Sequence, residues 1–182
     1  MSTIEALLRR YQEVVNWPWD RTLAGPQKVW FIHYEAEQER RLRLHLPDFE
    51  AATKNAGHGW VGVDLTDSFA RWMTTHDYRD EYFEHPEDMA PALEEFGEHV
   101  AAEVRAALAS PETGDNAVVA VHGVLSLFGL MRTSALVEAV APSILGRLLV
   151  FFPGEREGNN FRFLGVRDGW NYQALSITAE GE

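Results

Sequence analysis

Three features of the chain predict an α/β domain of three layers, with helices on both faces of a mainly parallel sheet and a C-terminal hairpin. Residues 118–121 and 148–152 are nearly continuous apolar runs without polar alternation, the pattern of strands covered on both faces. Between them, from Ser126 to about Ala141, apolar residues recur at helical spacing, which makes the unit strand–helix–strand. Strand-like and helix-like segments also alternate over the rest of the chain, as a parallel sheet with crossover helices requires.

In chain order, residues 3–15 form a first amphipathic helix, with Leu7, Leu8, Tyr11, Val14 and Val15 near one side. Asn16-Trp17-Pro18-Trp19 breaks it, and Gly25-Pro26 marks a turn before a strand over 28–34. Residues 35–55 read as a helix with Pro47 inside. A proline there removes a hydrogen bond, so a kink or two short helices are expected. Gly57 ends that helix and residues 59–65 form the second strand. Thr66-Asp67-Ser68 offers a cap for a helix over 69–75, whereas 77–86, crowded with acids and aromatics, reads as irregular. A long helix over 87–109 follows, with Leu93, Phe96, Val100, Val104 and Leu108 at helical spacing, and 110–115 is a loop. After the central unit, short strands over 161–165 and 172–177 flank Asp168-Gly169 as the closing hairpin.

At 182 residues the chain is most simply one domain over 1–182. Its N-terminal helix and Trp-Pro-Trp loop occupy 1–27, and an acidic helical region spans 67–115. The first residues read as the start of an amphipathic helix and not as a signal peptide. No apolar run approaches a membrane span. There is no cysteine, which removes disulfides, thiolate nucleophiles and cysteine-based zinc sites and fits a cytoplasmic protein. Charge is concentrated: residues 67–115 hold thirteen acids against Arg71, Arg79 and Arg105, so they carry −10 of the total −12. That face repels a phosphate backbone, whose affinity for proteins comes largely from Lys and Arg, so no direct nucleic-acid partner is expected. Either a solvated helix face or a docking surface for a basic partner accounts for it.

Motifs for known chemistries are missing. A Walker loop needs G-x-x-x-x-G-K-[ST], but the two lysines, Lys28 and Lys54, stand before the first strand and at the far end of the following helix. Glu35, Glu37 and Glu39 follow the first strand, where phosphate would have to rest. An NAD-type G-x-G-x-x-G turn leading from a strand into a helix is missing, G-x-S-x-G does not occur, and His45, His58, His76, His85 and His99 show no metal-ligand spacing. No cofactor, metal or catalytic residue is therefore assigned. Arg40, Arg41 and Arg43, flanked by Glu35, Glu37 and Glu39, read as helix-face ion pairs.

Two groups of candidate site residues remain. At the carboxyl ends of the strands, where open α/β sheets bind ligands, stand His33, Tyr34, Glu37, Asp64 and His122, with Arg132 downstream. They form either a ligand or acid–base pocket or the ordinary caps and turns of a parallel sheet. The second group is surface: the loop aromatics Trp17, Trp19, Tyr78, Tyr82 and Phe83, and Glu94, Glu95 and Glu98 within the acidic region 77–98. Aromatics beside charge act as interface anchors, or they tack loops onto the core.

Four blocks in this order resemble the BrxB family, a small component of BREX bacteriophage-defence systems. They are Trp30-Phe31-Ile32-His33-Tyr34 with Glu37 and Glu39; Val63-Asp64-Leu65; His122-Gly123-Val124-Leu125-Ser126-Leu127-Phe128 with Arg132-Thr133-Ser134; and Val150-Phe151-Phe152-Pro153-Gly154-Glu155 with Phe163-Leu164-Gly165 and Asn171-Tyr172. The resemblance runs over about four-fifths of the chain; Ala36 and Gly129 stand where the family pattern has proline. It implies a non-enzymatic assembly factor, part of antiviral defence, whose partners are other BREX proteins and above all a PglZ-type phosphatase-like protein. The competing expectation is a small ligand-binding or hydrolase domain that uses the strand ends.

Overall fold

The computed structural model describes residues 3–157, 160–163, 166–167 and 174–179. Its centre is the parallel pair β1 (Val29–Tyr34) and β4 (Arg147–Glu157), in register from Val29 opposite Leu148 to Tyr34 opposite Pro153. All six residues of β1 are buried. With β2 (Gly59–Asp64), β3 (Ala117–His122) and β7 (Leu175–Ile177), they make a five-strand parallel sheet in the order β2-β3-β4-β1-β7. This is the three-layer α/β/α architecture that the two apolar runs predict.

Side-chain alternation along the strands sorts the core into two. Trp30, Ile32, Val118, Ala120, Leu149 and Phe151 face α1 (Thr3–Val15) and α2 (Glu39–Asn55), which contribute Ile4, Leu7, Tyr11, Leu42 and Phe49. Phe31, Val119, Val121, Leu148, Val150 and Phe152 face the other layer. That layer is α3 (Ser68–Thr74), α5 (Leu93–Leu108) and α6 (Thr133–Val140), with Trp72, Phe96, Val100, Val104, Leu136 and Val137 turned inward. Under α1, the Tyr11 hydroxyl donates to Thr53 Oγ1 at 2.6 Å, and Thr53 in turn donates to the Phe49 carbonyl at 2.9 Å. Burial drives the Tyr11 phenol well above its ordinary pKa, so it stays a neutral donor in the core.

Several helix bounds differ from the sequence expectation. Pro47 lies inside one continuous α2, whose Leu42, Phe49, Ala52 and Thr53 are buried; burial of that stripe outweighs the one hydrogen bond lost. The segment read as irregular contains α4 (Arg79–Glu84), whose first turn holds Asp80 and Glu81, acids that suit a helix N-terminus. The long helix begins at Leu93 instead of residue 87, because Pro91 confines Pro86–Ala92 to a 3₁₀ segment. The helix expected over 126–141 is broken: Val124–Leu127 is 3₁₀, Gly129 takes φ +77°, and α6 starts only at Thr133.

The C-terminal antiparallel extension also forms one strand earlier than expected. The second half of β4 pairs with β5 (Asn160–Phe163), and β5 pairs with β6 (Val166–Arg167). The last strand leaves that extension and joins β1 in parallel. The Asp168-Gly169 turn, Leu164-Gly165 and Asn171-Tyr172 lie outside the described residues.

Phe49 is fully buried where α1, α2 and the sheet meet, edge-on to Phe151 at 5.1 Å and tilted against Tyr11 at 5.4 Å. Phe49→Ala is expected to destabilise the fold by about 3–5 kcal/mol, read as a lowered denaturant midpoint at unchanged m-value.

Candidate functional site

The strand carboxyl ends carry one connected polar cluster. Asp64 and His122 are register partners on β2 and β3, and His122 Nδ1 stands 3.6 Å from Asp64 Oδ1. Asp64 Oδ1 accepts from the Thr66 backbone at 2.9 Å and from its hydroxyl at 2.5 Å, a side-chain-closed turn. Arg43 reaches across from α2. Its Nη2 donates to Thr66 Oγ1 at 2.6 Å, its Nε donates to Glu39 Oε1 at 3.0 Å, and its Nη1 lies 4.0 Å from Asp64 Oδ2. Tyr34, at the end of β1, donates its hydroxyl to Glu39. The chain of contacts Tyr34–Glu39–Arg43–Thr66–Asp64–His122 thus ties α2 to the ends of β1, β2 and β3.

The turn after β3 needs a glycine. Gly123 takes φ +79°, and a Cβ there would meet Thr66 Oγ1 at 2.6 Å and Asp64 Oδ1 at 2.8 Å. The close approach lets Leu65 N donate to the His122 carbonyl at 2.9 Å, which holds the Asp64 turn against the end of β3.

Protonation states follow from this packing. Burial pushes the Asp64 carboxyl up, but the two Thr66 hydrogen bonds, with the charges of His122 and Arg43, outweigh it and hold it below the ordinary range. Burial lowers the His122 pKa; Asp64 opposes that, Arg43 adds to it and Glu39 opposes it, and the net shift is downward from 6.5. The Tyr34 phenol is raised far above its ordinary value by burial, by its hydrogen bond to Glu39 and by that carboxylate's charge.

The cluster is narrower than the pocket expected from the sequence. His33 alternates with Tyr34 and therefore faces the other layer, with Phe31 and Phe152 at 6.0 and 5.7 Å and Ser176 Oγ at 3.3 Å from its Nε2. Glu37 lines a separate cavity of about 570 Å³ with Glu35, Gly154, Glu155 and Arg162. Arg132 is exposed at the start of α6. So His33, Glu37, Asp64 and His122 do not converge, because the strand period of two separates His33 from Tyr34. Among the described residues, no group of three or more His, Asp or Glu is placed to hold a metal.

Glu39, Arg43 and Thr66 are the members that sequence reasoning missed. The i,i+4 spacing of Glu39 and Arg43 was the available signal; it gave the ion pair but not its attachment to Asp64 through Thr66. Also missed was Arg147, buried at the opposite end of β4. Its guanidinium lies 4.9 Å from the Trp19 ring and 5.8 Å from Trp30, and it donates to the Gly146 and Asp20 carbonyls at 2.9 and 3.2 Å.

The surface candidates divide as well. Trp19 is half-buried, stacked on His58 at 3.7 Å and edge-on to Trp30 at 5.7 Å, and Tyr82 packs against the core. Trp17, Tyr78 and Phe83 stand 52%, 66% and 70% exposed. Glu94, Glu95 and Glu98 are exposed on α5. Glu98 holds Arg105 through two contacts, 2.8 and 3.4 Å, and that pairing keeps its carboxyl below the usual range. Among the described residues, no helix is long and apolar enough to cross a membrane. Comparison with family models, curated proteins and solved structures finds no match.

The His122 shift has a definite sign. A histidine whose folded pKa is depressed takes up its proton more readily when unfolded, so stability falls as pH drops below about 6.5. Asp64, with a depressed carboxyl, adds a second loss as pH falls below about 4. His122→Gln is expected to flatten the melting-temperature profile between neutrality and mild acid and to leave the lower acid limb in place. Gly123→Ala is expected to lower stability at every pH, read by the same thermal scans.

Proposed function

We propose that this chain is a non-enzymatic protein-interaction component of a BREX-type phage-defence assembly and docks onto a PglZ-type phosphatase-like partner. The observation that carries the interaction reading is the surface of α4 and its flanks. Tyr78 and Phe83 are largely exposed there, among the exposed acids Asp77, Asp80, Glu81, Glu84, Glu87 and Asp88. Large exposed aromatics are costly in isolation and are the common anchors of interfaces. All three arginines of the acidic region are already engaged, Arg71 with Glu103, Arg79 with Asp80 and Arg105 with Glu98. The acids around α4 therefore keep a negative field that steers a basic partner and repels nucleic acid. The named assembly rests on the resemblance of the four sequence blocks to BrxB.

The strand-end groups support the same reading. Tyr34, Glu39, Arg43, Thr66 and Asp64 spend their polar atoms on one another, as structural networks do. One observation favours the competing ligand-binding or hydrolase reading: the cavity of about 570 Å³ beyond the carboxyl end of β1, where its pairing with β4 stops, the region where open α/β sheets place ligands.

Co-expression with a PglZ-type protein, tag capture and sizing of the eluate test the assignment. A stoichiometric complex is expected. Charge reversal at Glu94, Glu95 and Glu98 should reduce capture several-fold without unfolding the domain. A chain that elutes alone beside a soluble partner would sink the reading and direct ligand screening to the cavity.

A further inference from the structure

Beside the exposed aromatics, α3 and α5 leave a cleft of about 350 Å³ lined by Trp72, Thr75, His76, Glu95, Glu98 and His99. Its floor is the buried Trp72 indole, 4% exposed, and its wall is the His76 ring, 4.9 Å from Trp72 and tilted at 60° to it. His76 is also 6.1 Å from Tyr78 and 5.1 Å from Tyr82, so the cleft opens directly onto the exposed aromatic surface of α4. The rim is two carboxylates one helical turn apart on α5. Glu98 shows what this rim can do, since it holds the Arg105 guanidinium with both oxygens. Glu95 has no hydrogen bond or ion pair among the described residues, and no basic side chain lines the cleft besides the two histidines.

A ring-lined hollow with a free carboxylate at its mouth has the chemistry that recognises a guanidinium. The planar cation stacks on aromatic faces while its N–H groups fork onto a carboxylate. A lysine offers only a point charge there, and it is the more strongly hydrated of the two. An apolar side chain would leave Glu95 facing it without a partner. A phosphate would meet two carboxylates.

We propose that this cleft is an arginine-reading pocket: it takes one arginine side chain of a basic partner segment whose neighbouring apolar residues lie on Tyr78 and Phe83. The proposal rests on the interaction reading and specifies the partner chemistry for it. Steering by the acidic region brings the basic segment in; the cleft fixes its register.

The test uses the whole chain and a hexa-arginine peptide, with hexalysine and hexaglutamate of equal length as controls, followed by calorimetry at low and high salt. Hexa-arginine is expected to bind more tightly than hexalysine, and hexaglutamate not at all. Glu95→Gln should weaken hexa-arginine binding by about tenfold, equivalent to about 1.4 kcal/mol. Glu98→Gln should weaken it less, since that carboxylate is shared with Arg105. Glu112→Gln and Glu138→Gln, exposed acids outside the cleft, should leave affinity within about twofold. Equal losses at all four positions, or equal affinity for hexalysine, would overturn the pocket in favour of diffuse charge attraction. The co-expression assay separates the two levels of the argument. Partner capture that survives Glu95→Gln undiminished overturns the cleft and leaves the interaction reading standing. Cleft-dependent peptide binding without any partner capture supports the cleft and overturns the reading.

Discussion

The pairing of β1 with β4 is the constraint on which the rest of the molecule depends. β1 and residues 147–153 of β4 are buried on both faces, so each needs a helical layer on either side. Alternation then assigns every neighbouring residue to a layer: Phe31 and Val150 to the α5–α6 side, Ile32 and Leu149 to the α1–α2 side. The position of Tyr34 in the polar cluster follows from the same rule, as does the position of His33 outside it. Where this pairing stops, at Pro153 opposite Tyr34, β4 continues as one edge of an antiparallel pair with β5. Gly154 stands at that changeover, and a Cβ on it would meet the Arg162 carbonyl oxygen at 2.1 Å. The strand can change partners there because glycine lets the next backbone come close.

A buried cation secures the other end of the sheet. Arg147 has no carboxylate within hydrogen-bonding distance among the described residues, and burial lowers its pKa despite the opposing charge of Asp20. Carbonyl oxygens and the faces of Trp19 and Trp30 take the place of water around the guanidinium. This arrangement holds the Trp17-Pro18-Trp19 loop to the amino end of β4. Trp19 is sandwiched between His58 and Arg147, while Trp17, two residues earlier, is turned outward. One loop therefore answers to both of the expectations for loop aromatics, tacking at one residue and exposure at the other.

How much of this was legible depended on whether the cause was local. The parallel centre was legible because full burial writes itself as an uninterrupted apolar run, as in 118–121 and 148–152. The bounds of α5 and α6 were misread although their causes, Pro91 and Gly129, stand in the sequence; helical spacing on either side masked the interruption. The destination of the last strand was not legible, since a short apolar segment does not name its partner, and parallel pairing with β1 is a tertiary choice. At the strand ends the residue types were legible but not their grouping. The face taken by His33 turns on a single residue of register, and the link from Arg43 to Asp64 spans two elements.

The two candidate regions differ in what they leave unspent. At the strand ends, hydrogen bonds close from Tyr34 to Asp64: Tyr34 gives to Glu39, Arg43 bridges Glu39 and Thr66, and Thr66 closes onto Asp64, whereas His122 Nδ1, 3.6 Å from Asp64 Oδ1, is buried without a hydrogen bond. The bonded groups rigidify the joint between α2 and the sheet, and a ligand would have to break existing bonds to use them. On the helical layer formed by α3, α4 and α5 the account does not close. Thirteen acids in 67–115 meet three arginines, each already engaged, and Tyr78 and Phe83 lie open to solvent. Excess charge beside uncovered aromatic surface costs folding stability and is relieved when a surface of opposite charge covers it. The polar strand ends are thus used to hold the fold together, and the acidic helical layer carries the capacity to bind.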